Sequence, residues 1–263
     1  AGFEELRAAK ACFVLRDKTK ADNPLCGMLV LHVDDACYGG DGSYYQGVIN
    51  TVLKQVKIGN QKEKEFDFLG RHVCQSDSDF SIDIDQHQYV KNLERVHIPR
   101  ARRQQPKAKL TPEELHSFRS IVGQLAWPAR ESMPQLAFAV SDLQQRTAVA
   151  TVHDLCHANN VMNLAKKWAA QDNQKLRFLP FKGDIALNLV MPKTNKTSGS
   201  ARALRNADRQ TRLGIGAIHD ASFMQQLNEG SQYGYAIMLA PVTLYDGPVV
   251  THLLDWSSAK IHR

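Results

Sequence analysis

The sequence lacks several features that mark specialised classes of protein. It has five scattered cysteines in 263 residues and no Cys-x-x-Cys pair, so it predicts neither a disulfide framework nor a zinc cage and favours a reducing compartment. No stretch reaches the roughly 18 apolar residues of a membrane span. The first residues contain no signal-peptide apolar run, and the nucleotide-binding patterns GxxxxGK[ST] and GxGxxG are absent. We expect an intracellular protein, cytoplasmic or nuclear, without a membrane partner.

The composition is that of an ordinary globular chain with a basic bias. Apolar residues make up 43% and charged residues 23%, which is enough to build a core. The net charge is +6, and the excess of Lys and Arg is concentrated in two runs, 91–119 and 193–212. Such runs favour a polyanionic partner, with solvated, non-binding surface as the alternative.

Hydrophobic periodicity predicts an α+β fold. Apolar residues at helical spacing predict a helix over 44–56, and alternation predicts a single strand over 65–73. Thr111 and Pro112 mark a helix start, in a stretch that is largely helical as far as residue 171. Further strands are expected at 25–33, 80–85, 175–181, 184–191, 213–223, 231–240 and 249–260.

Two other patterns give specific expectations. Strict alternation predicts that Phe80, Ile82 and Ile84 point to one face of a strand, and that Asp83 and Asp85 point to the other. The segment 192–212 is polar and aperiodic, so it is interpreted as a linker. The chain starts without Met and ends directly after three strands that no helix covers, from which we expect a piece of a longer protein.

The adjacent carboxylates Asp34 and Asp35 follow an apolar strand and precede a stretch that ends in paired glycines. A tight hairpin turn can aim both at one site, where a cation relieves their repulsion. Hard oxygen ligands suit Mg²⁺, and two Mg²⁺ ions serve phosphoryl transfer. The alternative is an ordinary β-turn with exposed Asp residues. Asp220, which also ends an apolar strand, allows the same pair of interpretations.

Several motifs occur in a distinctive order along the chain. “LVLHVDDACYGG” (29–40) resembles the palm hairpin of reverse transcriptases, and “FDFLG” (66–70) resembles the segment that lies near their primer end. “IDIDQHQYVKNL” (82–93) and the helical stretch “FRSIVGQLAWPARESMPQLAFAVSDLQQR” (118–146) resemble the segments that follow. “IHDASF”, “GYAIML” and “DWSSAK” resemble the first strands of a ribonuclease H domain. Together they resemble the Pol polyprotein of copia-type (Ty1/copia) retrotransposons.

The resemblance implies an α+β organisation in four parts. Residues 1–100 would be the C-terminal part of a reverse transcriptase palm, and 101–190 a helical thumb or connection region. A polar linker, 191–212, would lead to a truncated ribonuclease H-like domain, 213–263. The parent activity is RNA-directed DNA synthesis on an RNA template with a DNA primer and nucleoside triphosphates.

The resemblance also assigns residues to roles. Asp34 and Asp35 would be catalytic carboxylates that hold Mg²⁺, two ions in an intact site, and Asp220 would be the first metal-binding carboxylate of the ribonuclease H site. A second set would contact the nucleic acid: Phe68, Leu69 and Gly70 at the primer terminus, and Arg100, Arg102, Arg103, Lys107 and Lys109 at phosphates.

The sequence departs from the family pattern at points that bear on catalysis. His32 stands where an aromatic residue is usual, and “RESMPQ” lacks the usual Asp. No apolar strand that ends in Asp is expected in the roughly 30 residues before the hairpin, and no helix with a Glu follows “DWSSAK”. We therefore expect a fragment that is inactive alone. The alternatives are a degenerate nucleic-acid-binding relic, and an unrelated metal nuclease that uses Asp220 and Asp255.

Overall fold

The computed structural model divides the chain into two compact units, residues 1–69 (unit 1) and 70–263 (unit 2). Helix accounts for 37% and strand for 32%, and the sheets are antiparallel apart from one short parallel pair, so the coarse α+β prediction is confirmed. The described residues are 2–7, 9–56, 59–171, 174–180, 185–186, 211–226, 230–241 and 251–261, with backbone alone at 185–186, 211–214, 220–226, 230, 241 and 261.

Unit 1 contains a four-stranded antiparallel sheet and one long helix. The strands lie side by side in chain order: β1 (Glu4–Glu5), β2 (Cys12–Arg16), β3 (Leu25–His32) and β4 (Asp35–Gly40). Helix α1 (Ser43–Gln55) follows, as the periodicity over 44–56 predicted, and strand β5 (Glu65–Phe68) ends the unit.

The core of unit 1 depends on a close approach between helix and sheet. Gly27 and Gly40 are paired across β3 and β4. A Cβ at either position would lie within 2.4–2.5 Å of the Tyr45 ring of α1. Only glycine admits this contact, which lets Tyr45 and Ile49 pack with Leu15 as the buried side chains of the unit.

Unit 2 combines a helical core with two sheets. Its helices are α2 (His87–Asn92), α3 (Arg100–Arg103), α4 (Pro112–Glu131), α5 (Ala137–Gln145), which a 3₁₀ turn (Pro134–Leu136) precedes, and α6 (Val152–Ala169). Strands β6 (Arg71–Gln75), β7 (Ile82–Asp85) and β8 (Leu176–Phe178) are antiparallel neighbours. The other sheet has the order β12 (His252–Ile261), β11 (Gly230–Pro241), β10 (Thr211–Gln226) and β9 (Ile185–Ala186), with β9 parallel to β10.

Helix α4 begins where the sequence predicted. The Thr111 side chain accepts a hydrogen bond from the Glu114 amide, and the Glu114 carboxylate accepts one from the Thr111 amide, so a capping box satisfies both groups. Pro128 lies inside the helix and leaves the carbonyl of Gln124 without its helical donor. The Tyr89 hydroxyl donates to that carbonyl at 3.2 Å.

Asn159 connects α6 to the segment that follows α2. Its side chain is buried, donates to the Val96 carbonyl at 2.9 Å and accepts from the Val96 amide at 3.0 Å. Because both backbone groups of one residue are satisfied, the extended segment can lie against the core without unpaired polar atoms.

Two local predictions were wrong. The strand expected over 65–73 is interrupted, since Leu69 and Gly70 have φ of 51° and 70° and form a turn between β5 and β6. Phe80 was expected to share a strand face with Ile82 and Ile84, but β7 begins at Ile82, and Phe80 lies before it with φ of 56° and is 67% exposed.

The domain boundaries stay predictions. The boundary expected at residue 100 falls inside unit 2. Of the expected linker 191–212, only the backbone of residues 211–212 is described, as the first residues of β10, and the remainder lies outside the described residues. Over the described part of the chain, no helix is long and apolar enough to cross a membrane.

Candidate functional site

Asp34 and Asp35 lie at the tip of the hairpin formed by β3 and β4. His32 and Asp35 are the last residue pair, so Val33 and Asp34 form a two-residue turn. Val33 has φ of 54° and is 94% exposed, although a β-branched residue rarely adopts positive φ. Both carboxylates are exposed at this tip. The predicted hairpin turn is therefore present, and we call it the carboxylate hairpin (residues 32–35).

Helix α1 packs on one face of the four-stranded sheet in unit 1. Gly27 and Gly40 point toward Tyr45 of α1. Because side chains alternate along a strand, His32, Asp35 and Cys37 belong to the opposite face, on which α1 does not pack. Asp35 is thus an exposed residue on the sheet face opposite to α1.

Sequence reasoning missed a carboxylate that follows an upstream strand. Strand β2 runs directly into Asp17, contrary to the expectation that no apolar strand before the hairpin ends in Asp. However, β2 is antiparallel to β3, and the Asp17 amide bonds to the Pro24 carbonyl at 2.9 Å, just before β3 begins. Asp17 is therefore on the order of 25 Å from the carboxylate hairpin, too far to share a metal ion with it.

The donor set at the carboxylate hairpin fits Mg²⁺ only in part. Mg²⁺ is commonly bound by one or two carboxylates together with waters and substrate phosphates, and Asp34 and Asp35 supply such a pair. No group of three or more His, Cys, Asp or Glu residues with the geometry of a metal site occurs in the described portion of the chain. The hairpin alone offers two carboxylate ligands.

The residues expected at the primer terminus lie at the second turn. Phe68 ends β5, and Leu69 and Gly70 form the two-residue turn before β6. Leu69 is 37% exposed. Their geometry suits a turn that presents backbone and a small apolar surface, and their role at a primer stays a prediction.

The predicted phosphate contacts fall into two groups. Arg100, Arg103, Lys107 and Lys109 are exposed, and we call these four residues the basic patch. Arg102 differs in how many contacts it makes, because its guanidinium donates to Glu114 at 2.6 and 2.8 Å and to the Lys109 carbonyl at 3.0 Å. The bonds with Glu114 raise the pKa of Arg102 and lower the pKa of Glu114. The Arg103 guanidinium donates to the Ile98 carbonyl at 2.8 Å. Arg102 holds the fold and is the least available of the five.

The loop that carries Lys107 and Lys109 is fixed to the start of α6. The amides of Val152 and His153 donate to the carbonyls of Ala108 and Pro106 at 3.0 and 2.9 Å, and the Leu110 amide donates to Ala150 at 3.2 Å. Three backbone bonds hold the loop rigid, so the two lysines are presented from an ordered surface. A preorganised cationic surface is suited to a polyanion.

Asp220 is described by its backbone only, so its predicted role as a metal ligand lies outside the described side chains. It pairs with Gly234, which in turn pairs with Ser258, whereas Asp255 pairs with Ile237. Asp220 and Asp255 therefore lie two strands apart in the sheet and three residues apart along the strand direction. Their Cα atoms are roughly 14 Å apart. This separation argues against the nuclease alternative, in which these two residues share a metal ion.

A cleft of about 440 Å³ between α4, α5 and β12 was not expected from the sequence. Trp256 closes one side by donating its indole N–H to the Ala129 carbonyl at the end of α4, at 2.7 Å. Arg130 and Asp255 line the cleft, and the Tyr235 hydroxyl donates to Asp255 at 3.0 Å. The cleft depends on contacts between residues more than 100 positions apart, for which no local signal exists.

The chain was compared with family models, with curated proteins and with solved structures, and none of these comparisons found a match.

Proposed function

We propose that the chain is part of a copia-type reverse transcriptase that binds a nucleic-acid primer–template. The observation that carries the proposal is the carboxylate hairpin, in which a two-residue turn with a strained Val33 exposes two adjacent carboxylates. A solvent-exposed β-turn does not need a β-branched residue at positive φ, and such outliers concentrate at functional sites. The order of hairpin, helix and second turn along the chain also supports the palm interpretation.

In this proposal the acidic residues bind the metal ion and the basic residues bind the phosphates. Asp34 and Asp35 are the ligands proposed for Mg²⁺, which when bound would stabilise the charge on attacking and leaving oxygens in nucleotidyl transfer. The basic patch binds phosphates without regard to sequence. The turn at Leu69 and Gly70 contacts the primer end. The antiparallel strands β10, β11 and β12 are the proposed start of a ribonuclease H-like sheet, with Asp220 as its carboxylate.

We expect binding without synthesis from this chain alone. A two-metal site needs more carboxylates than the two of the hairpin, and none joins them within the described residues. A primer-extension assay on the purified chain should show no template-dependent incorporation. Incorporation that Asp34→Asn abolishes and Asp22→Asn preserves would contradict the expectation of inactivity and would identify the hairpin as a complete catalytic site.

The nucleic-acid part of the proposal is tested by the salt dependence of binding. A labelled RNA–DNA primer–template is titrated with the chain at 50 and 200 mM salt. Removing one cation that binds a phosphate should reduce the slope of log K against log salt by about 0.9. Lys107→Gln combined with Lys109→Gln should therefore reduce it by about 2.

Arg177→Gln is the matched control for this titration, since the Arg177 guanidinium is already paired with Asp83 at 2.6 and 2.7 Å. It should leave the slope nearly unchanged. An equal reduction by the control and by the two lysine substitutions would assign the effect to net charge. Absence of binding at 50 mM salt would refute the nucleic-acid function.

A second candidate is a nucleic-acid-binding relic without metal chemistry. The observation in its favour is the incomplete donor set at the hairpin. The two candidates make the same prediction for the basic patch and differ only in whether Asp34 and Asp35 bind a divalent cation.

A further inference from the structure

Gly70 is in direct contact with helix α4. A Cβ at this position would lie 2.5 and 2.6 Å from Cη2 and Cζ2 of Trp127. Gly70 also has φ of 70°. Both the backbone conformation and the indole ring therefore exclude a side chain here, and the turn lies flat against the Trp127 ring.

The position of the Trp127 ring is itself fixed. Tyr89 packs against it edge to face, with ring centroids 4.5 Å apart and an interplanar angle of 77°, a favoured aromatic geometry. Tyr89 is held in turn by the hydrogen bond from its hydroxyl to Gln124, the carbonyl that Pro128 leaves free. The internal proline of α4 thus creates the acceptor that orients the aromatic pair.

Two polar connections also link the turn and the start of β6 to helix α4. The Gln86 amide donates to the Gly70 carbonyl at 3.4 Å and accepts from the Ser132 hydroxyl at 2.9 Å, just beyond the end of α4. Arg71 forms an ion pair with Glu131 in the last turn of α4. Both polar contacts therefore lead to the C-terminal end of the same helix.

We infer that Trp127 is a positioning residue that sets the turn at Gly70 in place for the primer terminus. The inference rests on the proposed function, which puts this turn at the primer end. Trp127 acts through Gly70 and does not react. Because its indole is uncharged and 38% exposed, its removal should change the placement of the primer end more than the overall affinity, which phosphate contacts dominate.

The contact is tested first without nucleic acid. Gly70→Ala should destabilise unit 2, because the added methyl group meets the indole and the backbone is held at positive φ. Gly70→Ala should cost less stability when it is introduced into Trp127→Ala than into the wild-type chain, because the indole that the methyl group meets is then absent. Equal costs in the two backgrounds would show that the contact does not exist as described.

Gly123→Ala is the matched control on α4. Its Cβ would meet no atom within 4 Å, so it should be neutral or stabilising. A decrease in stability at Gly123 equal to that at Gly70 would show a general intolerance of Gly→Ala and would overturn the interpretation.

The positioning role is tested with two primer–templates that carry 2-aminopurine, either at the primer 3′ end or ten base pairs inside the duplex. Binding of the wild-type chain should change the fluorescence of the terminal probe. Trp127→Ala should return that signal toward the free value while the dissociation constant changes by less than about threefold. Phe138→Ala, which truncates another exposed aromatic side chain, should leave both readings at wild-type values.

The possible failures are distinguishable. If no variant binds either duplex, the proposed function fails and the inference falls with it. If the duplexes bind and the terminal signal is the same in wild type and Trp127→Ala, only the positioning role is refuted. A change at the internal probe equal to that at the terminal probe also refutes it, since the effect is then not specific to the primer end.

Discussion

Unit 1 buries three hydrophobic side chains in its core and unit 2 buries twenty, counted over the described residues. Unit 1 compensates with a close helix–sheet contact at two glycines. Unit 2 is stabilised by its larger apolar core and by side-chain hydrogen bonds, which Asn159 forms with Val96 and Glu114 forms with Arg102. The carboxylate hairpin lies in the first unit and the basic patch in the second. Carboxylate function and nucleic-acid affinity should therefore be separable.

The largest expected effect is in the core of unit 2. Phe118 is fully buried in the cluster formed by α2, α4, α5 and α6, so Phe118→Ala should lower the free energy of unfolding by about 3–5 kcal/mol. Urea denaturation measures this decrease, and hydrogen exchange resolved by mass spectrometry assigns it to residues 70–171. Increased exchange confined to residues 2–56 would contradict the assignment.

The contact at Gly40 tests unit 1 directly. A Cβ there would lie 2.5 Å from the Cys26 carbonyl oxygen and from the Tyr45 ring, and the backbone atom cannot move aside cheaply. Gly40→Ala should cost about 1–3 kcal/mol, which is enough to unfold a unit with so small a core. We expect fast exchange in residues 9–56 and unchanged exchange in 70–171.

Gly47→Ala is the control for that substitution. Gly47 lies on α1 with no atom within 4 Å of its would-be Cβ, and alanine should stabilise the helix by about 0.5–1 kcal/mol. Equal destabilisation at Gly47 would show that the packing argument is wrong.

Loss of the hydrogen bonds between Asn159 and Val96 should have an intermediate effect on the free energy of unfolding. Asn159→Ala leaves the partly buried amide and carbonyl of Val96 without their partners, at a cost of about 1–3 kcal/mol. Asn163→Ala, at an exposed position on the same helix, should change the melting temperature little. Similar decreases in the melting temperatures of Asn159→Ala and Asn163→Ala would contradict the stabilising role of the Asn159 hydrogen bonds.

The smallest effect concerns Glu114 and depends on pH. The bond with Arg102 holds the pKa of Glu114 below its ordinary 4.5, so the ion pair stabilises the fold above that pH and loses its contribution as pH falls through the lowered pKa. At pH 7, Glu114→Gln should cost about 1 kcal/mol, since the pair is partly exposed. The difference in unfolding free energy between variant and wild type should shrink below pH 4.5 and stay constant at higher pH.

Local chemistry accounts for what the sequence could predict. Helix α1 matches its periodicity, and the start of α4 was predicted because Thr111 and Pro112 are consecutive residues that favour a helix N-terminus. The turn at Leu69 and Gly70 was missed because the alternation over 65–73 favoured a strand. Gly70 is a turn signal, but its close contact with Trp127 is a long-range feature that the local sequence does not show.

Long-range contacts account for what the sequence could not predict at the candidate site. Arg102 was predicted to be a phosphate contact, but its pairing with Glu114 depends on how the segment before α4 folds back. Asp17 was missed because its strand contains only five residues, ending in Arg16. The carboxylate hairpin itself was predicted because apolar strand, turn and return strand are adjacent in the chain.

Asp34 and Asp35 are proposed to bind a divalent cation, and this binding is measured by Mn²⁺ titration followed by electron paramagnetic resonance, with primer–template present. We expect the wild-type chain to bind Mn²⁺ and the double variant Asp34→Asn, Asp35→Asn to lose this binding. Asp22→Asn, in an exposed turn of the same unit, should retain it. Hydrogen exchange confirms that unit 1 is folded in each variant. Equal Mn²⁺ binding by all three folded proteins would contradict this proposal.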